Sequence, residues 1–122
     1  MLRIPDLWTA ALARNNLGPA SVIRQFIRRA TEVGREAVPA GDFVTVREAC
    51  VVYMLARSNN HSADFQRLEC LSGMNGGSVS FVSSSLESKR LVTVERGDSI
   101  VINLTDNGRE LVRKCRAANA QV

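Results

Sequence analysis

Histidine is almost missing from this chain: His61 stands alone among 122 residues. A metal centre built on several imidazoles is thereby excluded, and no nucleophile stands at a recognisable catalytic spacing from it. Cysteine is scarce as well. Cys50, Cys70 and Cys115 are an odd number without Cys-x-x-Cys spacing, and each falls in an apolar helical pattern. They are expected to be small core hydrophobes in a reducing compartment, with a redox-sensing thiol as the alternative role. No apolar run reaches the roughly 18 residues of a membrane span. The short apolar stretch at the start is interrupted by Pro5 and Asp6, unlike a secretory signal, so a cytoplasmic protein is expected. Neither a glycine-rich phosphate loop nor paired carboxylates in a plausible cleft are present. No catalysis, cofactor or metal is expected.

What remains is an ordinary globular composition, 45% hydrophobic and 23% charged, at the length of one domain. Such a chain buries roughly two thirds of its unfolded surface without disulfides or metals. The net charge of +4, with a pI near 9.5, favours polyanionic partners. Fourteen of the sixteen cations are arginine, which suits bidentate phosphate contacts and equally reflects a GC-rich genome.

The order of elements carries more. Asp6 is expected to cap a short helix holding Leu7, Trp8, Ala11 and Leu12, stopped by Leu17-Gly18-Pro19. A helix over Pro19–Ala37 follows, with Val22, Phe26, Ala30, Val33 and Ala37 in one stripe and Ile23 and Ile27 beside it. Its arginines Arg24, Arg28 and Arg29 read as a solvated face, with a DNA patch as the alternative. After a turn at Pro39-Ala40-Gly41-Asp42, Thr45-Val46-Arg47-Glu48 is a capping box opening a helix to about Arg57. Asn59-Asn60-His61-Ser62 is a polar break, with Ser62 as N-cap of a helix closed by Gly73. A serine-rich helix then places Val79, Val82, Ser83 and Leu86 inward. The period next changes to two in Leu91–Arg96 and again in Ser99–Leu104. Gly97-Asp98 between them predicts a hairpin with a two-residue turn, its apolar face made by Val92, Val94, Ile100, Ile102 and Leu104. Arg96-Gly97-Asp98 spells an integrin-binding tripeptide but is read here as a turn. Thr105 caps a last helix with Leu111, Val112 and Cys115 inward.

Helix, helix, turn, helix, hairpin, helix is the order of a winged helix-turn-helix. From Ser62 to Arg116 the chain resembles the MarR family. The similarity lies in Val79, Val82 and Leu86, in Lys89-Arg90-Leu91-Val92 leading into the wing, and above all in Leu104-Thr105-Asp106-Asn107-Gly108-Arg109. The last is similar to that family's Leu-Thr-x-x-Gly-Arg signature, in which Thr105 would cap and Gly108 would allow close backbone packing. The resemblance implies an α+β, mainly helical fold. A winged core (42–104) with a two-stranded wing would be flanked by N-terminal helices (1–38) and a C-terminal helix (105–122) that dimerise. It also implies a homodimeric transcription regulator, most simply a repressor, on double-stranded DNA with a pseudo-palindromic operator, and a small-molecule effector. The recognition helix (about 76–90) would enter the major groove, and the wing (91–104) would lie on the minor groove or backbone.

On that reading, the DNA-facing residues are Ser78, Ser80, Phe81, Ser84, Ser85, Ser88, Lys89, Arg90 and Arg96. Serines contact phosphates or bases, and Phe81 suits a thymine methyl. The chain departs from the family at two points: Phe81 stands where an arginine is usual, and the wing tip is only Arg96-Gly97-Asp98-Ser99. Weaker and less salt-sensitive binding is expected. These departures motivate the alternative of a winged-helix protein–protein interaction module, an anti-repressor or partner-binding regulator.

Overall fold

The computed structural model describes residues 4–37 and 44–120. Along them run α1 (Ile4–Arg14), α2 (Ala20–Ala37), α3 (Val46–Ala56), a 3₁₀ turn (Asn59–His61), β1 (Ser62–Asp64), α4 (Phe65–Ser72), α5 (Gly76–Ser88), β2 (Val92–Arg96), β3 (Ile100–Leu104) and α6 (Asp106–Ala120). The mainly helical winged-helix class expected from the sequence is the one observed. The turn expected at 39–42, and the boundary between 38 and 42, lie outside the described residues.

Helix α3 is the centre. Its capping box forms as the sequence implies: Glu48 N donates to Thr45 Oγ1 at 3.2 Å, and Thr45 N donates to Glu48 Oε1 at 2.9 Å. Every residue from Glu48 to Ala56 is buried. Burying each Val, Leu or Met stabilises by roughly 1.5–3 kcal/mol, far more than the few tenths of helix propensity lost at Val51 and Val52.

The N-terminal helices wrap this centre, α1 and α2 both packing on it. Helix α1 begins at Ile4, so Asp6 lies inside it and is not its cap; Pro5 is tolerated because a first turn needs few backbone donors. The α1–α2 turn is pinned by the Tyr53 hydroxyl, which donates to Leu17 O at 2.6 Å. Gly18 sits there at φ 137°, and a Cβ on it would lie 2.7 Å from Tyr53 Oη. The inward stripe of α2 is Ile23, Phe26, Ile27 and Ala30, with Phe26 edge-on to Tyr53 at 5.0 Å. Val22, expected in the stripe, is 43% exposed: the i, i+3, i+4, i+7 set starting at Ile23 outcompetes the one starting at Val22. Side chains from 34 to 37, including Ala37, lie outside the description.

The sheet has the order β1-β3-β2 and is antiparallel throughout. In the hairpin, Val92 faces Leu104, Val94 faces Ile102 and Arg96 faces Ile100. The loop is therefore Gly97-Asp98-Ser99, three residues and not the expected two. A two-residue loop pairing Arg96 with Ser99 would set Val94 against Val101 and throw the apolar residues of one strand to the opposite face. β1, absent from the sequence reading, adds Ser62, Ala63 and Asp64 against Asn103, Ile102 and Val101. Because Ser62 is in this strand, the cap of α4 is Asp64, which accepts from Arg67 N at 2.7 Å.

Helix α6 closes the structure on α2 and α3, with Leu111, Val112 and Cys115 buried as expected. Thr105 Oγ1 accepts from Gly108 N at 3.1 Å and donates to Arg90 O at 2.6 Å. A Cβ on Gly108 would lie 2.3 Å from Leu91 O and 2.9 Å from Leu104 Cδ2. The Leu-Thr-x-x-Gly step thus joins the last helix to the start of the wing.

Candidate nucleic-acid interface

Helices α4 and α5 form the helix-turn-helix, linked by Gly73-Met74-Asn75. Ser72 Oγ accepts from Met74 N at 3.0 Å, and Asn75 Oδ1 caps α5 by accepting from Ser78 N at 2.8 Å. Val79, Val82, Ser83 and Leu86 point inward, as their spacing predicts, and all four are buried. The opposite side presents Ser80, Phe81, Ser84 and Ser88 to solvent, with Ser78 half-buried. Phe81 is 71% exposed, the most exposed of the large apolar side chains among the described residues.

Two residues expected on this face are used elsewhere. Lys89 Nζ lies 2.6 Å from Glu48 Oε1 and 2.9 Å from Oε2, and Ser85 Oγ donates to Glu48 Oε2 at 2.9 Å. Lys89 is 13% exposed and Glu48 only 2%. Burial alone would push the Glu48 carboxyl up. The Lys89 ammonium, the Thr45 N–H and the Ser85 hydroxyl outweigh it and hold the carboxyl below its ordinary value. Lys89 and half-buried Ser85 therefore clamp the end of α5 to the start of α3, where a buried carboxylate requires a cation.

The other cations are more open. Arg90 is exposed at φ 63°. Arg96, 64% exposed, lies 3.9 Å from Glu87, a loose pair. Helices 20–37 and 106–120 each carry four cations and two anions, so together they account for the whole +4. Residues 62–104 hold four cations against five anions, so the helix-turn-helix and wing are net −1.

Beside the outward face of α5 lies a cleft of about 420 Å³ lined by apolar Trp8, Val46, Phe81 and Val82 and by polar Thr45, Arg47, Glu48 and Ser85. The Arg47 guanidinium sits 5.4 Å from the Trp8 ring centre. Trp8 is thus half in the core and half in this cleft, whereas Phe26 is wholly core. His61 accepts from Arg109 Nε at 3.4 Å, a loop contact. Burial pushes the Cys50 thiol up to about 12 and the Cys115 thiol to about 11. Cys70 is exposed and not a core residue; on an eight-residue helix its phase turns it away from buried Leu68. Among the described residues, no group of His, Cys, Asp and Glu is arranged to hold a metal, and no helix is long and apolar enough to cross a membrane.

No protein-family profile and no curated protein matches the chain. Solved structures do. AbsC, a MarR family transcriptional regulator from Streptomyces coelicolor, superposes with a TM-score of 0.59 at 19% identity, over 77% of this chain and 66% of its own. A second MarR family transcriptional regulator from that organism gives 0.58 at 20% identity, over 77% and 64%. The fold is the MarR-type winged helix. BpsR of Bordetella bronchiseptica, whose DNA binding is regulated by 6-hydroxynicotinic acid, gives 0.55 at 17% identity over 85% of this chain and 75% of its own. The chain spans about two thirds of the two Streptomyces regulators, 64% and 66% of their lengths. In all three the MarR-type fold is shared at an identity that speaks to architecture alone.

Proposed function

We propose that this MarR-type chain is a DNA-binding transcription regulator that reads the major groove with the outward face of α5. The observation that carries this reading is that face itself: Ser80, Phe81, Ser84 and Ser88 stand exposed on a helix whose inner side is packed and whose far end is clamped by Glu48 and Lys89. Serine hydroxyls match base edges and phosphates, and Phe81 matches a thymine methyl. The wing supplies Arg96 to the backbone or minor groove, and Arg90 flanks it. The active species is a homodimer on a pseudo-palindromic operator, acting as a cytoplasmic repressor. The outward sides of α2 and α6 form the pairing surface, with Val22 as its apolar point. The 420 Å³ cleft beside Phe81 has the size of a small-molecule site, and an effector seated there would meet the reading helix directly.

A second reading, a partner-binding module, is favoured by the 71% exposed Phe81 and the net −1 of residues 62–104. Selection from a random duplex pool at two salt concentrations separates the two. An enriched inverted repeat with half-sites about one helical turn apart supports the regulator. Retention without enrichment, or none at all, refutes sequence-specific operator binding and favours the partner-binding module.

A further inference from the structure

Three large apolar side chains stand exposed among the described residues: Val22 on α2, Phe81 on α5 and Ile100 on the wing, the last 39% exposed. The proposed pairing surface and reading face account for the first two. Ile100 lines a separate pocket of about 390 Å³ between the start of α4 and the tip of the wing. Asp64, Phe65 and Gln66 form one side of it, and Asp98, Ser99 and Ile100 the other. The two sides meet because β1 pairs with β3, which sets Asp64 opposite Val101.

This lining combines two apolar side chains, Phe65 and Ile100, with two carboxylates and no cation. Asp64 spends Oδ1 on the cap of α4, accepting from Arg67 N at 2.7 Å, whereas Asp98 has no ion pair among the described residues. Both are exposed, so an incoming group can reach them. An anion would be repelled here, and a purely apolar group would desolvate the carboxylates with nothing to pair them. A lysine or arginine side chain suits the whole lining. Its stem covers apolar surface while its head stays with the carboxylates, and a guanidinium also matches the face of Phe65. The acidity extends beyond the pocket. Asp64, Val101 and Glu95 pair in one row across the sheet and so share a face, and residues 62–104 are net −1. The cation Arg96 lies in a smaller cleft of about 80 Å³ that shares Phe65 and Ile100, where Glu87 is 3.9 Å from it. A side-chain pocket continued by an acidic row fits an extended basic segment better than a lone small cation, whose few contacts must offset the whole cost of association.

We propose that the pocket between α4 and the wing tip docks a basic segment of a partner protein, with one lysine or arginine lying against Phe65 and Ile100 and its charge at Asp98 and Asp64. This goes beyond the DNA-binding reading and gives the partner-binding one a surface. No duplex takes part, so the docking site and the DNA reading can each fail without the other.

The test selects from a random heptapeptide pool displayed on phage against the full chain, then titrates the enriched peptides by fluorescence anisotropy. Lysine or arginine should dominate one position of the enriched set. Asp98→Asn should weaken those peptides on the order of tenfold, as expected for a hydrogen bond between charged groups. Added salt should weaken the wild type more than the variant. Exchanging the peptide's basic residue for glutamine should cost less in Asp98→Asn than in the wild type, a coupling that a merely structural effect of the substitution would not produce. Amide shifts in NMR should centre on Phe65, Gln66, Ser99 and Ile100. The second probe is N-acetyl-arginine amide. If it binds as tightly as the enriched peptides, the site takes a free small cation and the partner protein is overturned. Enrichment without a basic position, binding indifferent to Asp98→Asn, or no enrichment at all overturns the proposal.

Discussion

Replacing Lys89 with methionine should cost more than any exposed substitution in the chain, and the reason lies 41 residues away in sequence. Lys89 is the cation for Glu48, whose side chain is 2% exposed and whose two oxygens accept from Lys89, Thr45 N and Ser85 Oγ. Removing one partner of a buried pair costs about 3–5 kcal/mol, because the remaining charge stays desolvated. For a chain of this length that is roughly 10–20 °C in Tm. Glu48→Gln in the Lys89→Met background should recover much of the loss, so the double-mutant cycle is strongly non-additive. The pH dependence should also change sign. In the wild type the Glu48 carboxyl is held below its ordinary value. Its contribution is therefore fully present above about pH 4.5 and lost as the pH falls through the lowered value. Without Lys89, burial dominates and pushes the carboxyl up, so the penalty in Lys89→Met shrinks on acidification. Urea unfolding of the four proteins at pH 7 and pH 5 measures this. A loss below about 1 kcal/mol at pH 7 with additive effects would refute the clamp.

Gly108→Ala should destabilise by about 1–3 kcal/mol or more, because its methyl would meet Leu91 O at 2.3 Å; a melting curve checks it. Phe81→Ser should leave stability within about 0.5 kcal/mol, since the ring is 71% exposed, while weakening duplex binding measured by fluorescence anisotropy. Native thiol titration should find Cys70 reactive and Cys50 and Cys115 silent until urea is added, because burial raises those two to about 12 and about 11.

Local chemistry was legible in the residues themselves. The Thr45–Glu48 capping box, the inward set Val79, Val82, Ser83 and Leu86, and the Thr105 cap with Gly108 behind it all depend on partners within a few positions. Periodicity and local donors suffice for these, and they are enough to define a winged helix-turn-helix. Even the odd length of the wing loop was implicit, since a two-residue loop would split Val92, Val94, Ile100, Ile102 and Leu104 between the two faces. What tertiary structure alone decided depends on residues far apart. β1 is three residues long, too short for a period, and exists because Ile102 and its neighbours lie alongside. Ser85 and Lys89 look like surface groups of a serine-rich helix until α3 brings a buried carboxylate to them. The exposure of Cys70 and Val22 is a matter of helix phase against a core that no single segment contains. A sequence states which groups a segment can offer; only packing, by choosing which of them water can no longer reach, decides which are spent on the fold and which remain for a ligand.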